Sequence, residues 1–101
     1  DTIAKMSQYG QTADATQEVK DLCHQVKPQV QDITGKSYVD FTVFLYRSEV
    51  VAGTNYLIKV HVGGDDYIHL IIFRGLPCYG GKVSLTKVKD HQTKDSPLQP
   101  F

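Results

Sequence analysis

The apolar pattern of this chain changes its period once, at Gly35, and that change restricts the fold more than any other feature. Before it, Val19, Leu22, Cys23, Val26, Val30 and Ile33 recur at steps of three and four, the spacing of one helical stripe. After it the step falls to two. Tyr38–Ser48, Thr54–Val62, Tyr67–Arg74 and Lys82–Lys89 each read as a strand. One long helix over Asp14–Ile33 followed by antiparallel strands is an α+β domain, with the helix covering one face of the sheet. Thr12, Asp14 or Thr16 caps the helix start, Glu18 suits its first turn, and Gly35 is a stop. Pro28 removes one intrahelical hydrogen bond, which predicts a bent or loosened helix over Gln25–Pro28.

Alternation also assigns the faces. Asn55, Lys59 and His61 mark the odd positions of the second strand as solvent-facing, leaving Ile58, Val60 and Val62 for the core. Ile68, Leu70 and Ile72 are core in the third strand, with Tyr67 and His69 outward. Paired residues share a face, so matching even to even requires an odd connecting loop. GGDD (Gly63–Asp66) with a neighbour supplies three or five residues, with glycine at positive φ. VFLY (Val43–Tyr46) breaks the alternation and predicts a bulge. Leu45, Ile71 and Phe73 add apolar area to the outer face. The final HQTKDSPLQPF is an edge strand or a strapped-down tail, giving a sheet of four to five strands. Residues 1–15 are polar and aperiodic and read as a flexible arm.

With 101 residues, one domain over 1–101 is the natural expectation. Eleven Lys and Arg balance eleven Asp and Glu, which argues against nucleic acid and against an anionic membrane as partner. No apolar run approaches the roughly 20 residues of a membrane span. The opening DTIAKMSQYG lacks the apolar core of a signal peptide. Met6-Ser7 looks like a native start, so Asp1–Lys5 reads either as native or as vector-derived sequence. Cys23 and Cys78 are the two cysteines, fewer than a small secreted domain more often carries, and free thiols in a reducing compartment are the simpler reading.

Nothing in the chain argues for an enzyme. A cysteine nucleophile needs an exposed, low-pKa thiolate and a base. Cys23 lies on the apolar stripe, where a buried thiol is the better reading, and its neighbour His24 diverges from it by about 100° around the helix. Cys78 reads as a loop thiol, exposed and open to oxidation. His61 and His69 share the outer face, but two histidines do not make a structural zinc site, and exposed strand histidines are the better reading. GLPCYGG (Gly75–Gly81) lacks the Lys-Ser/Thr of a phosphate loop and reads as a second hairpin turn. Asp65-Asp66 are turn residues. No cofactor and no metal are expected.

What remains is a surface. The 49–53 loop and the 75–81 loop lie at one end of an up-and-down sheet. The helix runs back toward that end, so its start and the arm with Tyr9-Gly10 converge there. Apolar, glycine-rich and nearly uncharged, these segments make either a wedge suited to a narrow cleft or three ordinary turns.

EVVAGTNYLIKVHVGGDDYIHL, followed by LP, resembles the type 1 cystatins, or stefins; so do VKPQV (Val26–Val30) in the helix and the terminal Phe101. The likeness covers nearly all of the chain from about Tyr9 onward. It implies a single domain whose antiparallel sheet wraps a long helix, with residues 1–9 as a flexible N-terminal trunk. It also implies a reversible, tight-binding, non-covalent inhibitor of papain-like cysteine proteases such as papain and cathepsins, cytoplasmic and active as a monomer. The family's inhibitory edge carries over to Gln8, Tyr9 and Gly10 of the trunk, Glu49, Val50, Val51, Ala52 and Gly53 of the first hairpin, and Leu76 and Pro77 of the second loop. The first hairpin is also a hinge for a domain-swapped dimer. On this reading Gly53→Glu weakens inhibition without unfolding the domain. Two departures stand out. Glu49 replaces the family glutamine, and a desolvated, unpaired carboxylate at a cleft is unfavourable. Cys78 is unusual at its position and would add a redox dependence. Both favour the alternative of a non-inhibitory cystatin-fold interaction or structural protein. A cysteine hydrolase dependent on Cys78 is the third possibility.

Overall fold

The computed structural model describes residues 9–101. The first long element is α1 (Gln17–Thr34). Of the candidate caps, Thr16 serves: its backbone is extended, and its hydroxyl accepts from the Val19 N–H at 3.3 Å. Gly35 closes the helix at φ 74°, its N–H donating to the Gln31 carbonyl at 2.8 Å. The helix runs through Pro28 without interruption. Pro28 and His24, whose carbonyl loses its partner, both lie on the exposed side, where water can replace the missing donor.

Val19, Leu22, Cys23, Val26 and Val30 are buried as the stripe requires, but Ile33 is 63 % exposed. The returning chain covers the Gln31–Thr34 side of the last turn instead. There the Tyr38 hydroxyl donates to Thr34 Oγ1 at 3.0 Å, and the Tyr38 N–H donates to Gln31 Oε1 at 2.9 Å.

Five antiparallel strands follow one another across the sheet in chain order: β1 (Ala13–Asp14), β2 (Thr42–Val51), β3 (Gly53–His61), β4 (Tyr67–Arg74) and β5 (Val83–Gln92). The short β1 corrects the reading of a free arm for the end of that stretch, because Ala13 pairs with Tyr46 and Asp14 with Leu45; residues 1–8 lie outside the described residues. The loop between β3 and β4 is odd, spanning Val62–Asp66, and it pairs Ile58 with Leu70 and Val60 with Ile68 as parity demands.

The bulge falls at Phe44, where the register steps from Val43–Val60 to Leu45–Lys59. It decides which residues of the first hairpin face which side. Val43 packs in the helix-side core, so unbroken alternation would turn Leu45, Arg47 and Glu49 toward the helix as well. The extra residue reverses the parity. Tyr46 then packs with the helix-side core, and Leu45, Arg47 and Glu49 share the outer face with Lys59, Leu57 and Asn55.

That outer face is not open to solvent. His91 and Gln92 end the edge strand β5, and residues 93–101 then cross this face as a strap, so all but the start of the final stretch is a strapped-down tail. Leu98 joins Leu57 and Ile71 in a second apolar cluster, with Tyr9, Leu45 and Phe101 around it. Lys59 and His69, expected in solvent, are 2 % and 1 % exposed. The strap supplies what Lys59 loses from water: its ammonium donates to the carbonyls of Thr93, Lys94 and Ser96 at 3.0, 2.7 and 2.7 Å. His69 lies opposite Lys59 in the β3–β4 register, and its Nε2 has no partner among the described residues. Burial, and then the charges of Lys59 and Lys89, push its pKa down to about 4. The ring is therefore neutral at pH 7.

Candidate functional site

The hairpin between β2 and β3 is as tight as a hairpin can be. Val51 pairs with Gly53, which leaves Ala52 alone at the tip. Val50 is 82 % exposed, and Val51 and Ala52 are exposed beside it. Gly53 is the opposite: buried, at φ 128°, with no room for a side chain. A Cβ there would stand 2.5 Å from the Arg74 carbonyl oxygen and 2.7 Å from Phe73 Cζ. The hairpin thus leans by its glycine on the last two residues of β4, immediately before the second loop.

The second loop begins at Gly75, whose N–H donates to the Lys82 carbonyl at 2.8 Å. Inside it Pro77–Tyr79 forms one 3-10 turn. The N–H groups of Tyr79 and Gly81 both donate to the Leu76 carbonyl, at 2.9 and 3.0 Å. This folding presents Pro77, Cys78 and Tyr79 outward, Tyr79 being 81 % exposed. Leu76 and Pro77 share an open groove with Gly53, Glu18 and Arg74. The Glu18–Arg74 ion pair crosses the groove and ties the start of α1 to the end of β4.

The third segment arrives along β2. The Gly10 N–H donates to the Ser48 carbonyl at 2.9 Å, one residue before the hairpin motif. Burial, followed by the nearby Glu49 charge, raises the Tyr9 phenol above its ordinary pKa, with Arg47 opposing. The structure therefore gathers Tyr9 and Gly10 beside the first hairpin, and the first hairpin against the second loop. Gln8, the remaining candidate, lies outside the described residues.

Glu49 has a neutral hydrogen-bond partner within the sheet. The Asn55 side-chain amide, directly across the ladder, donates to its Oε1 at 3.2 Å. The half-buried carboxylate is held on the outer face of the hairpin, below the exposed tip.

The chemistry of the assembly is that of a shape. Cys23 is buried, and burial pushes its thiol up to about 12, far from a reactive thiolate. Cys78 is exposed and free. His61 Nε2–H donates to the Gly64 carbonyl at 2.8 Å, and its ring lies against Tyr67. With His69 buried under the strap, the two histidines do not form the exposed pair expected. No group of three or more His, Cys, Asp or Glu able to hold a metal exists among the described residues. What the edge offers is a row of small and apolar groups on backbone that the sheet holds.

Sequence reasoning missed Arg47 entirely. The signal was available, since the VFLY irregularity reverses the parity of every residue after it, but its consequence depends on what lies above the outer face.

A profile of the cystatin domain matches residues 8–95. Among characterised proteins, Cystatin-A8 of Sus scrofa is 46 % identical over 87 residues, covering 86 % of this chain and 84 % of that protein. Leukocyte cysteine proteinase inhibitor 1 of Sus scrofa is 45 % identical over 87 residues, with the same coverage of 86 % and 84 %. Cystatin-B of Oplegnathus fasciatus is 40 % identical over 88 residues, covering 87 % of this chain and 88 % of its own.

Proposed function

The chain belongs to the cystatin family, as one of its stefin-type members, and on that premise we propose that it is a reversible, tight-binding, non-covalent inhibitor of papain-like cysteine proteases such as cathepsins. The observation that carries the proposal is the junction of three segments distant in sequence. Gly10 is hydrogen-bonded to Ser48, and Gly53 is wedged against Arg74, next to Leu76 and Pro77. Such an edge fits a cleft between two protease walls. The trunk with Gln8, Tyr9 and Gly10 takes the non-primed side; Val50, Val51, Ala52 and the second loop take the primed side.

The physics of the parts supports this reading. Gly10 has no Cβ, so the backbone can pass close to a protease's catalytic thiol. The hairpin tip is held by its ladder and loses little entropy on docking. The hairpin meets the nucleophile without presenting a bond to be cleaved, so the complex dissociates to intact inhibitor. Binding of this kind needs neither catalysis nor a metal or cofactor from the inhibitor. The free thiols suit a reducing compartment, and we assign the protein to the cytoplasm as a monomer, with domain swapping about the first hairpin as a slow side reaction.

Titration of papain with the pure protein tests the proposal. The expected result is stoichiometric loss of activity at nanomolar protein, with full recovery on dilution and displacement by excess substrate. Uninhibited papain at about 1 μM protein, where even a binding free energy of about −8 kcal/mol would be visible, would refute it.

A further inference from the structure

We propose that Arg47 is the positioning residue of Tyr9 and Gly10 in the N-terminal trunk, and that through it the placement of these two residues depends on the C-terminal strap. Among the described residues the guanidinium makes three hydrogen bonds, all to backbone carbonyls and all to segments near the chain's two ends. Nε donates to Gly10 O at 2.8 Å, Nη2 to Tyr9 O at 3.3 Å and Nη1 to Leu98 O at 2.9 Å. Its Cζ also lies over the Tyr9 ring, 5.8 Å from the centroid.

Each part of this arrangement has a cause. Arg47 reaches the outer face only because the Phe44 bulge reverses the parity of β2. A guanidinium spreads its donors over three nitrogens in a rigid fork, and here each nitrogen takes a different carbonyl; an ammonium, as at Lys59, gathers its carbonyls onto one nitrogen. The peptide of Gly10 is held on both sides by adjacent residues of β2, its N–H by the Ser48 carbonyl and its carbonyl by Arg47. Leu98, the third partner, is fixed independently, packed with Leu57 and Ile71. Residues 9–10 are therefore set by a strand of the sheet and by the strap together. Glycine is the residue with the most freedom to lose, so an unheld Gly10 would be the loosest point of the trunk.

The functional consequence rests on the inhibitory reading above. Tyr9 and Gly10, ordered before docking, do not lose that freedom in the complex, which slows dissociation more than it speeds association. Nothing in the family motif residues of the first hairpin or second loop requires Arg47; the role comes from where the two termini run.

The test compares the full chain with Arg47→Gln, Arg47→Lys and Leu98→Ala. Two readouts are used: amide hydrogen exchange at Gly10, and the rate of dissociation from papain. In Arg47→Gln, Gly10 exchange should rise at least about tenfold while the Leu57 and Ile58 amides keep their protection. Dissociation should quicken by about tenfold at nearly constant association rate. Arg47→Lys should fall between, and Leu98→Ala should move Gly10 exchange in the same direction. A merely structural role would instead speed exchange across the sheet. Gly10 exchange equal in Arg47→Gln and the parent chain would overturn the positioning role. If the parent inhibits papain and Arg47→Gln dissociates at the same rate, the functional consequence is overturned. If the parent does not inhibit, the inhibitory reading fails, and Gly10 exchange alone decides for or against Arg47.

Discussion

Replacing Gly53 by alanine separates what the first hairpin does for the fold from what it does at its tip. The new methyl meets two obstacles. At φ 128° an L-residue is strained, typically by about 1–3 kcal/mol. Its Cβ would also stand 2.5 Å from the Arg74 backbone oxygen, which cannot swing away as a side-chain end could, and 2.7 Å from Phe73 Cζ. Overpacking of that kind costs roughly a further 1–3 kcal/mol after relaxation. Together about 2–6 kcal/mol is a large share of the roughly 5–15 kcal/mol expected of a domain this size, and should lower the melting temperature by about 10 °C or more. The contrast is Val50→Asp. Val50 is 82 % exposed, so its replacement should change stability by under about 0.5 kcal/mol while weakening papain inhibition at least about tenfold. Thermal melting and urea unfolding of both variants, beside papain titration, check the pair. A melting temperature for Gly53→Ala within about 2 °C of the parent would refute the steric argument. The expectation formed from sequence, that Gly53→Glu acts at the cleft without unfolding the domain, is corrected by the same geometry. Gly53 is not at the tip; it is the point where the hairpin rests on β4.

Three other outcomes are expected. Lys59→Ala leaves the carbonyls of Thr93, Lys94 and Ser96 without their donor and should cost about 2–4 kcal/mol in urea unfolding, with the strap loosening first; a loss under about 0.5 kcal/mol would mean water replaces the ammonium freely. His69 titrates near 4 when folded and near 6.5 when unfolded, so the unfolded chain takes up the proton first. The stability associated with the neutral ring is complete above about pH 6.5 and is lost as pH falls toward 4, by up to about 3 kcal/mol, and melting curves of His69→Gln should show a shallower fall over that window; equal slopes would remove His69 from the acid response. Ellman's reagent should label Cys78 alone in the native protein and Cys23 only on unfolding; rapid reaction of both would contradict the buried thiol.

The residues that sequence reading placed well have local causes. Thr16 and Gly35 cap α1 through groups within four residues of themselves. The β3–β4 register follows from alternation and an odd loop. The Phe44 bulge is visible as four large apolar residues in a row. The hairpin and second-loop residues could be named from a motif. Where reading failed, the cause was distant in the chain. Ile33 continues the helical stripe but finds no cover, because the chain returns over Thr34. The hydrogen bond from Asn55 to Glu49 went unread because Asn55 lies across the turn. Residues 9–15 looked free because polar, aperiodic sequence gives no sign of a strand edge that will accept it.

The division has one physical reason. Periodicity, capping and turn chemistry are set by neighbours along the chain, so the sequence by itself determined an α+β domain, one helix against antiparallel strands, with a cystatin hairpin at its end. Which face of that sheet is dry is not a local property. Lys59 and His69 alternate correctly as outward residues, and only a strap 34 to 37 residues away from Lys59 turns outward into buried. Arg47 likewise reads as a surface cation until partners 37, 38 and 51 residues distant close around it. Burial and hydrogen bonding of that range depend on where the two ends of the chain come to lie, and that was decided only by the tertiary structure.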